Sequence, residues 1–339
     1  MGGVDMLYNL LGKTGMKVSR VGFGGIPIQQ LEQDKVDAII AKCLEVGINF
    51  FDTARGYTVS EELLGNALYG KRNDIYIATK SGVRDRDAML RDVEISLRNL
   101  RTDYIDLYQL HNVGSLEELE RTLKDDGAYS ALKELKNEGV VKHIGITSHK
   151  EEIIERALEK DLFETIQFPL NIVERQGERL FKMAAEGGVG TIAMKPLAGG
   201  ALRDGRGAIK FILDNPHLSV AIPGMDSVDQ VVKNSQAADG TWLTQAEREH
   251  LIEEARELGE TFCRRCGYCL PCPEGINIPT MFLMEGYYTR YDLKDWARER
   301  YNTQEKNASD CIKCGTCEPK CPYELPIRDM LENVNRIFG

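Results

Sequence analysis

Short apolar runs alternate with amphipathic segments along most of this 339-residue chain. From residue 17 to about residue 240, mainly β-branched apolar runs recur, and segments with apolar positions at helical spacing lie between them. Most of these runs are apolar at consecutive rather than alternate positions, which is typical of parallel strands covered on both faces. The predicted strands are 18–25, 47–53, 74–80, 104–111, 140–147, 164–170, 190–196 and 218–224.

The clearest of the intervening helices follows the first predicted strand. Asp34 is its candidate N-cap, and Gly47 occupies the position expected just after its end. Cys43 falls on the apolar stripe, so we interpret it as a small core residue without chemistry. The stripe consists of Val36, Ile39, Ile40, Cys43 and Leu44.

Eight such strand–helix units predict an α/β fold, namely a (β/α)8 TIM barrel. An open, doubly wound sheet is the alternative, and a nucleotide-binding sheet of that kind would show G-x-G-x-x-G after its first strand. Here the first strand ends in GFGGIPIQ, which lacks the third glycine and precedes no immediate helix. The barrel is therefore preferred.

The pattern changes after the barrel segment. Residues 1–243 are assigned to the barrel, and 244–262 to a linking helix that begins with TQAEREHLIEEARELGE. The rest of the chain, 263–339, shows helical spacing of apolar residues and few strand signals. We predict that it forms a small, mostly helical domain.

Composition narrows the range of partners and compartments. The formal net charge of −10 argues against nucleic acid or anionic lipid, since both require basic faces. No run approaches the ~18 apolar residues of a membrane helix. The first residues, MGGVDMLYNLLGKTG, lack the basic-then-apolar order of a secretory signal. A cytoplasmic protein with no membrane or nucleic-acid partner is predicted.

Eight of the nine cysteines lie in two short runs, CRRCGYCLPCP (263–273) and CIKCGTCEPKCP (311–322). In a reducing cytosol such runs are typical of metal ligands rather than disulfides. The second run has the spacing of bacterial 4Fe–4S ferredoxins, in which the last cysteine of a run binds the other cluster. The first run is one residue shorter in its last gap. Two zinc sites are the rival interpretation.

We therefore predict two 4Fe–4S clusters with crossed ligation, because three closely spaced thiolates can reach one cluster while the Cys-Pro at each run's end is directed away. Two self-contained four-cysteine sites are the alternative. The predicted ligands are Cys263, Cys266, Cys269 and Cys321 for one cluster, and Cys311, Cys314, Cys317 and Cys272 for the other.

Candidate catalytic residues lie where the predicted strands end, since the reactive groups of a (β/α)8 barrel gather there. Asp52 ends the second strand, Tyr57 lies in the following loop, and Lys80 and His111 end the third and fourth. An adjacent ammonium lowers the pKa of a phenol, a carboxylate holds the ammonium, and a neutral imidazole orients a carbonyl oxygen. This combination suits protonation of a carbonyl that receives hydride.

The same region resembles the aldo-keto reductases over about residues 7–240. The resemblance lies in LGKTGMKVSRVGFGG, GINFFDTARGYTVSEELLGNAL, IYIATKSG, DLYQLHNV, VKHIGITSHK, TIAMKPLAGG and AIPGMDSVDQVVKN. It implies a (β/α)8 barrel, a nicotinamide cofactor bound without a Rossmann domain, and a catalytic tetrad at Asp52, Tyr57, Lys80 and His111.

The resemblance also implies cofactor contacts. Thr147, Ser148 and Gln167 would hold the nicotinamide amide, and Asn234 would contact the adenine. Three positions depart from the family pattern: Met194 replaces the stacking aromatic, while Gly224 and Gln230 replace cations for the 2′-phosphate, leaving Lys233 as the nearby cation. These changes favour NAD(H) over NADP(H) and leave a flavin as an open alternative.

The tail resembles helical dicluster ferredoxin modules, and the whole chain resembles a subgroup of aldo-keto reductase-like proteins with such a tail. The resulting hypothesis is an oxidoreductase acting on a small carbonyl/alcohol pair, whose clusters exchange electrons with a ferredoxin or another redox partner. Hydride transfer moves two electrons together, whereas each cluster passes one. A carbonyl reductase with structural clusters, and a redox-sensing or electron-carrying protein with a nucleotide-binding barrel, stay as alternatives.

Overall fold

The computed structural model describes residues 6–259, 261–265, 267–321 and 323–339. A short hairpin begins this part of the chain: β1 (Tyr8–Leu10) pairs antiparallel with β2 (Lys17–Ser19). The prediction of a single strand over 18–25 is therefore wrong, since its first residues belong to the hairpin and its last to the barrel. Val18 and Val21 are both fully buried, so buried apolar residues lie on both sides of the junction between the hairpin and the barrel.

The barrel itself consists, within the described residues, of eight parallel strands in chain order. Isolated bridges from Val21 to Ala221 and from Gly24 to Gly224 join its first and last strands. The predicted (β/α)8 fold is confirmed, and the other seven strand predictions each contain an observed strand core. The strands are β3 (Phe23–Gly24), β4 (Phe50–Asp52), β5 (Tyr76–Ser81), β6 (Ile105–Leu110), β7 (Val141–Thr147), β8 (Thr165–Pro169), β9 (Gly190–Met194) and β10 (Val220–Ile222).

Helices cover the outer face of these strands, and the main apolar core lies between the two layers. They are α1 (Gln33–Glu45), α2 (Ser60–Leu68), α3 (Arg86–Asn99), α4 (Leu116–Thr122), α5 (Ala128–Asn137), α6 (Glu151–Glu159), α7 (Gly177–Glu186), α8 (Gly205–Leu213) and α9 (Val228–Ser235).

Helix α1 begins earlier than its sequence signals indicate. Its N-cap is Glu32, and Asp34 lies in the first turn, where a negative charge favours the helix dipole. Gly47 has φ +87°, the left-handed conformation expected just after a helix end. Cys43 is fully buried, as predicted, and burial raises the pKa of its thiol.

A second, smaller apolar cluster fills the barrel interior near the hairpin. Leu11 and Val18 pack there with Phe50, Leu107 and Val220, which lie at or near the starts of their strands. The hairpin thus closes the amino-terminal end of the barrel. A functional site is expected at the opposite end, where the strands finish.

The chain divides into two compact units, the first comprising residues up to Leu197 and Asp204–Arg248. The second comprises Ala198–Arg203 and Glu249–Gly339 and is mostly helical, as predicted. The proposed boundaries at 243 and 262 remain a prediction. The helices of the second unit are the greater part of α10 (Gln245–Gly259), α11 (Ile278–Thr289), α12 (Lys294–Asn302) and α13 (Ile327–Phe338).

The second unit has its own apolar core. Within it the rings of Tyr301 and Phe338 stack with centroids 4.3 Å apart. Arg298 donates hydrogen bonds to the carbonyls of Ile337 and Phe338, which satisfies acceptors at the carboxyl end of α13. The cysteine runs lie in the connections before α11 and before α13.

Candidate active site and cluster cavities

The four predicted catalytic residues lie at the carboxyl ends of three neighbouring strands and in one loop. Asp52 ends β4, Lys80 is the penultimate residue of β5, and His111 directly follows β6. Tyr57 lies in the loop between β4 and α2. Because β4 pairs with β5 and β5 with β6, these side chains share one sector of the barrel mouth.

Asp52 and Lys80 form a buried ion pair. Lys80 Nζ lies 2.5 Å from Asp52 Oδ1 and donates a second hydrogen bond to the carbonyl of Thr53 at 2.7 Å. Burial is the largest influence on both groups: it raises the pKa of Asp52 and lowers that of Lys80, and the ion pair opposes both shifts. The pair therefore fixes an ammonium inside the barrel mouth.

Tyr57 and His111 lie around this ammonium. Lys80 Nζ is 5.2 Å from the centroid of the Tyr57 ring. The rings of Tyr57 and His111 meet edge to face, with centroids 5.8 Å apart. A phenol beside an ammonium and an imidazole is an arrangement that favours proton donation to an oxygen held between the two rings.

The imidazole of His111 is held in its neutral form. Burial, followed by the charges of Lys80 and Arg84, lowers the pKa of His111 to about 3. Arg84 Nη2 also donates to the carbonyl of His111 at 2.8 Å, which fixes the backbone at this position. A neutral imidazole can orient a carbonyl oxygen but cannot supply a proton at neutral pH.

This shift predicts the pH dependence of turnover. With a pKa near 3, His111 stays neutral from pH 5 to 8, so kcat/KM should show no inflection in that range from this group. We expect the profile for p-nitrobenzaldehyde to have the same shape in the wild type and in His111→Gln, which differ in rate only. An inflection near pH 6.5 that disappears in the variant would contradict the prediction.

A glutamine that the sequence reasoning missed completes the sector. Gln109 Nε2 lies 2.9 Å from Gln167 Oε1 and 3.4 Å from Asp52 Oδ2, and Gln167 also bonds to Asp52. Gln109 and Gln167 are both fully or almost fully buried. The available signal was a polar residue within the apolar strand YIDLYQL, two positions before His111.

The other predicted cofactor contacts lie around the remaining strand ends. Thr147 ends β7, and its hydroxyl accepts a hydrogen bond from the backbone of Asn112 at 2.7 Å. Ser148 follows it and donates to the carbonyl of Val113 at 2.8 Å. Met194 ends β9. Thr147 and Ser148 thus tie the loop after β6 to the end of β7.

The positions expected to recognise a 2′-phosphate have no cation. A Cβ at Gly224 would lie 2.8 Å from Cγ of Pro27, so a side chain there would require Pro27 to shift. The side-chain carbonyl of Gln230 accepts a hydrogen bond from the backbone of Asp226 at 2.8 Å. Lys233 pairs at 2.7 Å with Asp229, and both side chains are largely exposed.

Asn234 is suited to a ligand contact. Its side chain is 4% exposed, and its Nδ2 has no hydrogen-bond partner among the described residues. A buried donor of this kind is costly unless something accepts from it. A ligand that accepts from this Nδ2 would satisfy it, and the adenine contact of Asn234 stays a prediction.

One cavity in the second unit is lined by four predicted cluster ligands. Cys272 from the first run lies there with Cys311, Cys314 and Cys317 from the second. This is the set that crossed ligation predicts.

A second cavity is lined by described members of the complementary set. Cys263 and Cys269 from the first run line it together with Cys321 from the second. Cys266, the fourth predicted ligand, lies outside the described residues.

The donor chemistry of both cavities fits iron–sulfur clusters. All the cysteines that the structure describes are free thiols, so none is used in a disulfide. Among the described side chains, no group of three or more His, Cys, Asp or Glu is arranged to hold a single metal ion. Thiolates are the ligands of 4Fe–4S clusters, so four free thiols around one cavity fit such a cluster.

Comparisons with known proteins agree with both halves of the chain. A model described as "Aldo/keto reductase family" matches residues 20–207, and one described as "4Fe-4S dicluster domain" matches residues 262–326. In the described part of the chain, the helices are too short or too polar to cross a membrane.

Similar individual proteins share the barrel. An uncharacterized oxidoreductase, YqkF of Bacillus subtilis, is 27% identical over 73% of this chain and 96% of its own length. L-galactose dehydrogenase of Arabidopsis thaliana is 29% identical over 67% of this chain and 86% of its own. The solved holo form of aldo-keto reductase AKR11C1 from Bacillus halodurans is 31% identical, covers 74% of this chain and 96% of its own, and has a TM-score of 0.65.

Proposed function

Because this chain belongs to the aldo/keto reductase family and contains a 4Fe–4S dicluster domain, we propose that it interconverts a small carbonyl compound and its alcohol. The main support is the buried Asp52–Lys80 pair beside the Tyr57 and His111 rings. No other chemistry explains as simply why a phenol, an ammonium and a neutral imidazole lie together at one mouth.

In this proposal each residue has a separate role. Tyr57 gives its phenolic proton to the substrate oxygen. Lys80 stabilises the negative charge that develops on the phenol, and Asp52 holds Lys80 in place. His111, neutral at working pH, donates a hydrogen bond to the same oxygen and orients the carbonyl.

A nicotinamide cofactor fits the remaining residues of the mouth. Thr147, Ser148 and Gln167 would hold its amide end, Met194 would lie against the ring, and Asn234 would bind the adenine. When bound, this cofactor supplies the hydride that the carbonyl carbon accepts. Gln167 already bonds to Gln109 and Asp52, so its orientation is set before any ligand arrives.

The choice between the two nicotinamide cofactors follows from the missing cations. Recognition of a 2′-phosphate depends on charge-assisted hydrogen bonds, and neither Gly224 nor Gln230 supplies one. We expect NADPH to bind at most about tenfold more tightly than NADH, which corresponds to a difference in binding free energy of about 1.4 kcal/mol. Equilibrium fluorescence titration of both cofactors measures it, and NADPH binding a hundredfold tighter would contradict the prediction.

A matched variant tests the steric part of this prediction. Gly224→Arg alone should not create NADPH preference, because its Cβ meets Pro27. Gln230→Arg, which places a cation in the first turn of α9, should raise NADPH affinity relative to NADH.

The two cavities fit the clusters that the dicluster domain implies, and we propose that these clusters exchange electrons with a ferredoxin or a similar one-electron protein. When bound, the clusters supply or accept single electrons. The crossed sets of cysteines would hold them, so that both runs are needed for either cluster.

Anaerobic purification tests the proposed function as a whole. We expect a visible spectrum of iron–sulfur clusters, NADH-dependent reduction of p-nitrobenzaldehyde, and reduction of the clusters by a reduced two-cluster ferredoxin. Reduction of the aldehyde without any electron exchange with ferredoxin would remove the electron-transfer half of the proposal. Failure of NADH to support turnover at any concentration would remove the nicotinamide half.

A further inference from the structure

A buried carboxylate behind the barrel mouth, that of Glu61, is surrounded by hydrogen-bond donors. Glu61 lies in the first turn of α2, and its side chain is 1% exposed. Its Oε1 accepts from Thr79 at 2.8 Å and from Ser96 at 2.7 Å, and its Oε2 accepts from Arg55 at 2.9 Å and from Asn99 at 3.3 Å. A carboxylate so fully paired holds the groups around it in fixed positions.

One of these donors belongs to the loop that presents Tyr57. Arg55 lies two residues before Tyr57, and its Nη1 donates to Glu61 at 2.9 Å. Its backbone N–H donates to the carbonyl of Lys80 at 3.0 Å, and its Nε lies 3.6 Å from Asp92. The loop is thus attached to the Lys80 strand at the backbone and to Glu61 through the guanidinium.

A second donor belongs to the strand that presents Lys80. Thr79 directly precedes Lys80 in β5, so the two side chains point to opposite faces of the strand. Lys80 faces Asp52 inside the barrel, while Thr79 faces Glu61 on the helix side. One carboxylate therefore connects the strand of the ammonium with the loop of the phenol.

The charge of Glu61 also affects the protonation of Lys80. Burial lowers the pKa of Lys80, and the charge of Asp52 and, less strongly, that of Glu61 oppose this shift. Among the ion pairs here, Asp52 pairs with Lys80, and Arg55 pairs with both Glu61 and Asp92. Glu61 therefore helps to keep Lys80 protonated.

We propose that Glu61 is a positioning residue, which holds Tyr57 and Lys80 in their working arrangement without touching the substrate. This inference rests on the proposed function, since it assumes that Tyr57 and Lys80 act together on a carbonyl. According to this inference, the turnover rate depends on Glu61, although Glu61 is not one of the four tetrad residues.

Steady-state kinetics of Glu61→Gln, with NADH and p-nitrobenzaldehyde, test the proposal. The amide keeps the size of the side chain but loses the charge and one acceptor, so we expect kcat to fall roughly 10–100-fold, because small displacements of reacting groups cost up to about 10²-fold. KM should change by less than about twofold, since substrate is not contacted.

Asp106→Asn is the matched control. Asp106 is also a buried carboxylate paired with an arginine, Arg72, and it accepts from the backbone of Ile77 at 2.8 Å. It lies near the start of β6, whereas His111 follows the end of that strand. We expect Asp106→Asn to lower the melting temperature about as much as Glu61→Gln while leaving kcat unchanged.

A second variant decides the case if Glu61→Gln does not fold. Arg55→Met removes the loop attachment and leaves the contacts of Thr79 and Ser96 with Glu61 in place. It should lower kcat to the extent expected for Glu61→Gln. Where Glu61→Gln does fold, combining the two substitutions should lower kcat little further, since both break one connection.

The outcomes separate this inference from the proposed function. A kcat within twofold of wild type in both variants, or an equal fall in Asp106→Asn, would reduce Glu61 to a structural role. If Tyr57→Phe loses turnover in the same assay, the proposed function still stands. If Tyr57→Phe does not, the proposed function fails first.

Discussion

Replacing Tyr57 with phenylalanine should lower turnover of p-nitrobenzaldehyde by roughly 10²–10⁴-fold, the usual effect of losing a general acid. This range corresponds to about 3–5 kcal/mol of transition-state stabilisation. The phenyl ring keeps the edge-to-face contact with His111 and its position 5.2 Å from Lys80 Nζ, so only the proton donor is removed. Both kcat and kcat/KM should fall together, because the proton is given only in the transition state.

Tyr129→Phe is the control for this substitution. The hydroxyl of Tyr129 donates to the carbonyl of Leu162 at 3.0 Å, on the outer helix α5. Its loss removes one hydrogen bond at a site without any proposed chemistry, so turnover should stay at the wild-type level. Cluster content and melting temperature should be close to wild type in both variants. Near wild-type turnover in Tyr57→Phe would exclude the tetrad from the mechanism.

The positions of the catalytic candidates were predictable because they depend on a simple rule of the fold. Parallel strands in chain order bring their carboxyl ends to one mouth, so residues such as Asp52 and Lys80 are neighbours once the strands are located. The strand cores were visible as apolar runs, and their ends were marked by polar residues. No fine detail of packing was needed to place these side chains in the same sector.

Features that depend on side-chain contacts were not predictable in this way. The division of residues 18–25 between hairpin and barrel depends on which surface covers Val18. An apolar residue is expected at this position in either element, so the sequence pattern does not distinguish the two. The closeness of Pro27 to Gly224 joins residues almost two hundred positions apart, and no local signal indicates it. Gln109 and Glu61 act through partners on other elements, which periodicity does not reveal.

Some features of the dicluster module were predictable from the sequence, and others were not. Ligand type and spacing are local, so the cysteines could be named from the sequence. Which cysteine joins which cluster is a question of tertiary structure, because it depends on how the two runs approach each other. Each of the two cavities is lined by cysteines of both runs, in the grouping that crossed ligation predicts, and this grouping supports the proposed ligand sets.

Pairs of cysteine substitutions distinguish crossed from self-contained ligation. If ligation is crossed, Cys263 and Cys321 serve the same cluster, so the double variant to alanine should lose one cluster and keep the other. Cys311 and Cys321 then serve different clusters, so their double variant should lose both. Self-contained runs predict the opposite: the pair within the second run would lose one cluster, and the pair from different runs would lose both.

The two double variants each remove two thiols, so any general weakening of the module affects them equally. Iron and sulfide analysis with electron paramagnetic resonance should find about four iron atoms per chain in the Cys263/Cys321 variant and almost none in the Cys311/Cys321 variant. Cys43→Ala, which removes a buried thiol of the barrel core, should keep about eight. If instead the Cys311/Cys321 variant keeps about four iron atoms and the Cys263/Cys321 variant keeps almost none, each run binds its own cluster. The presence of cysteines from both runs in each cavity would then need another explanation. With crossed ligation, loss of either run leaves neither cluster complete, and since ligand binding and folding are coupled in such sites, the module should fold as one unit.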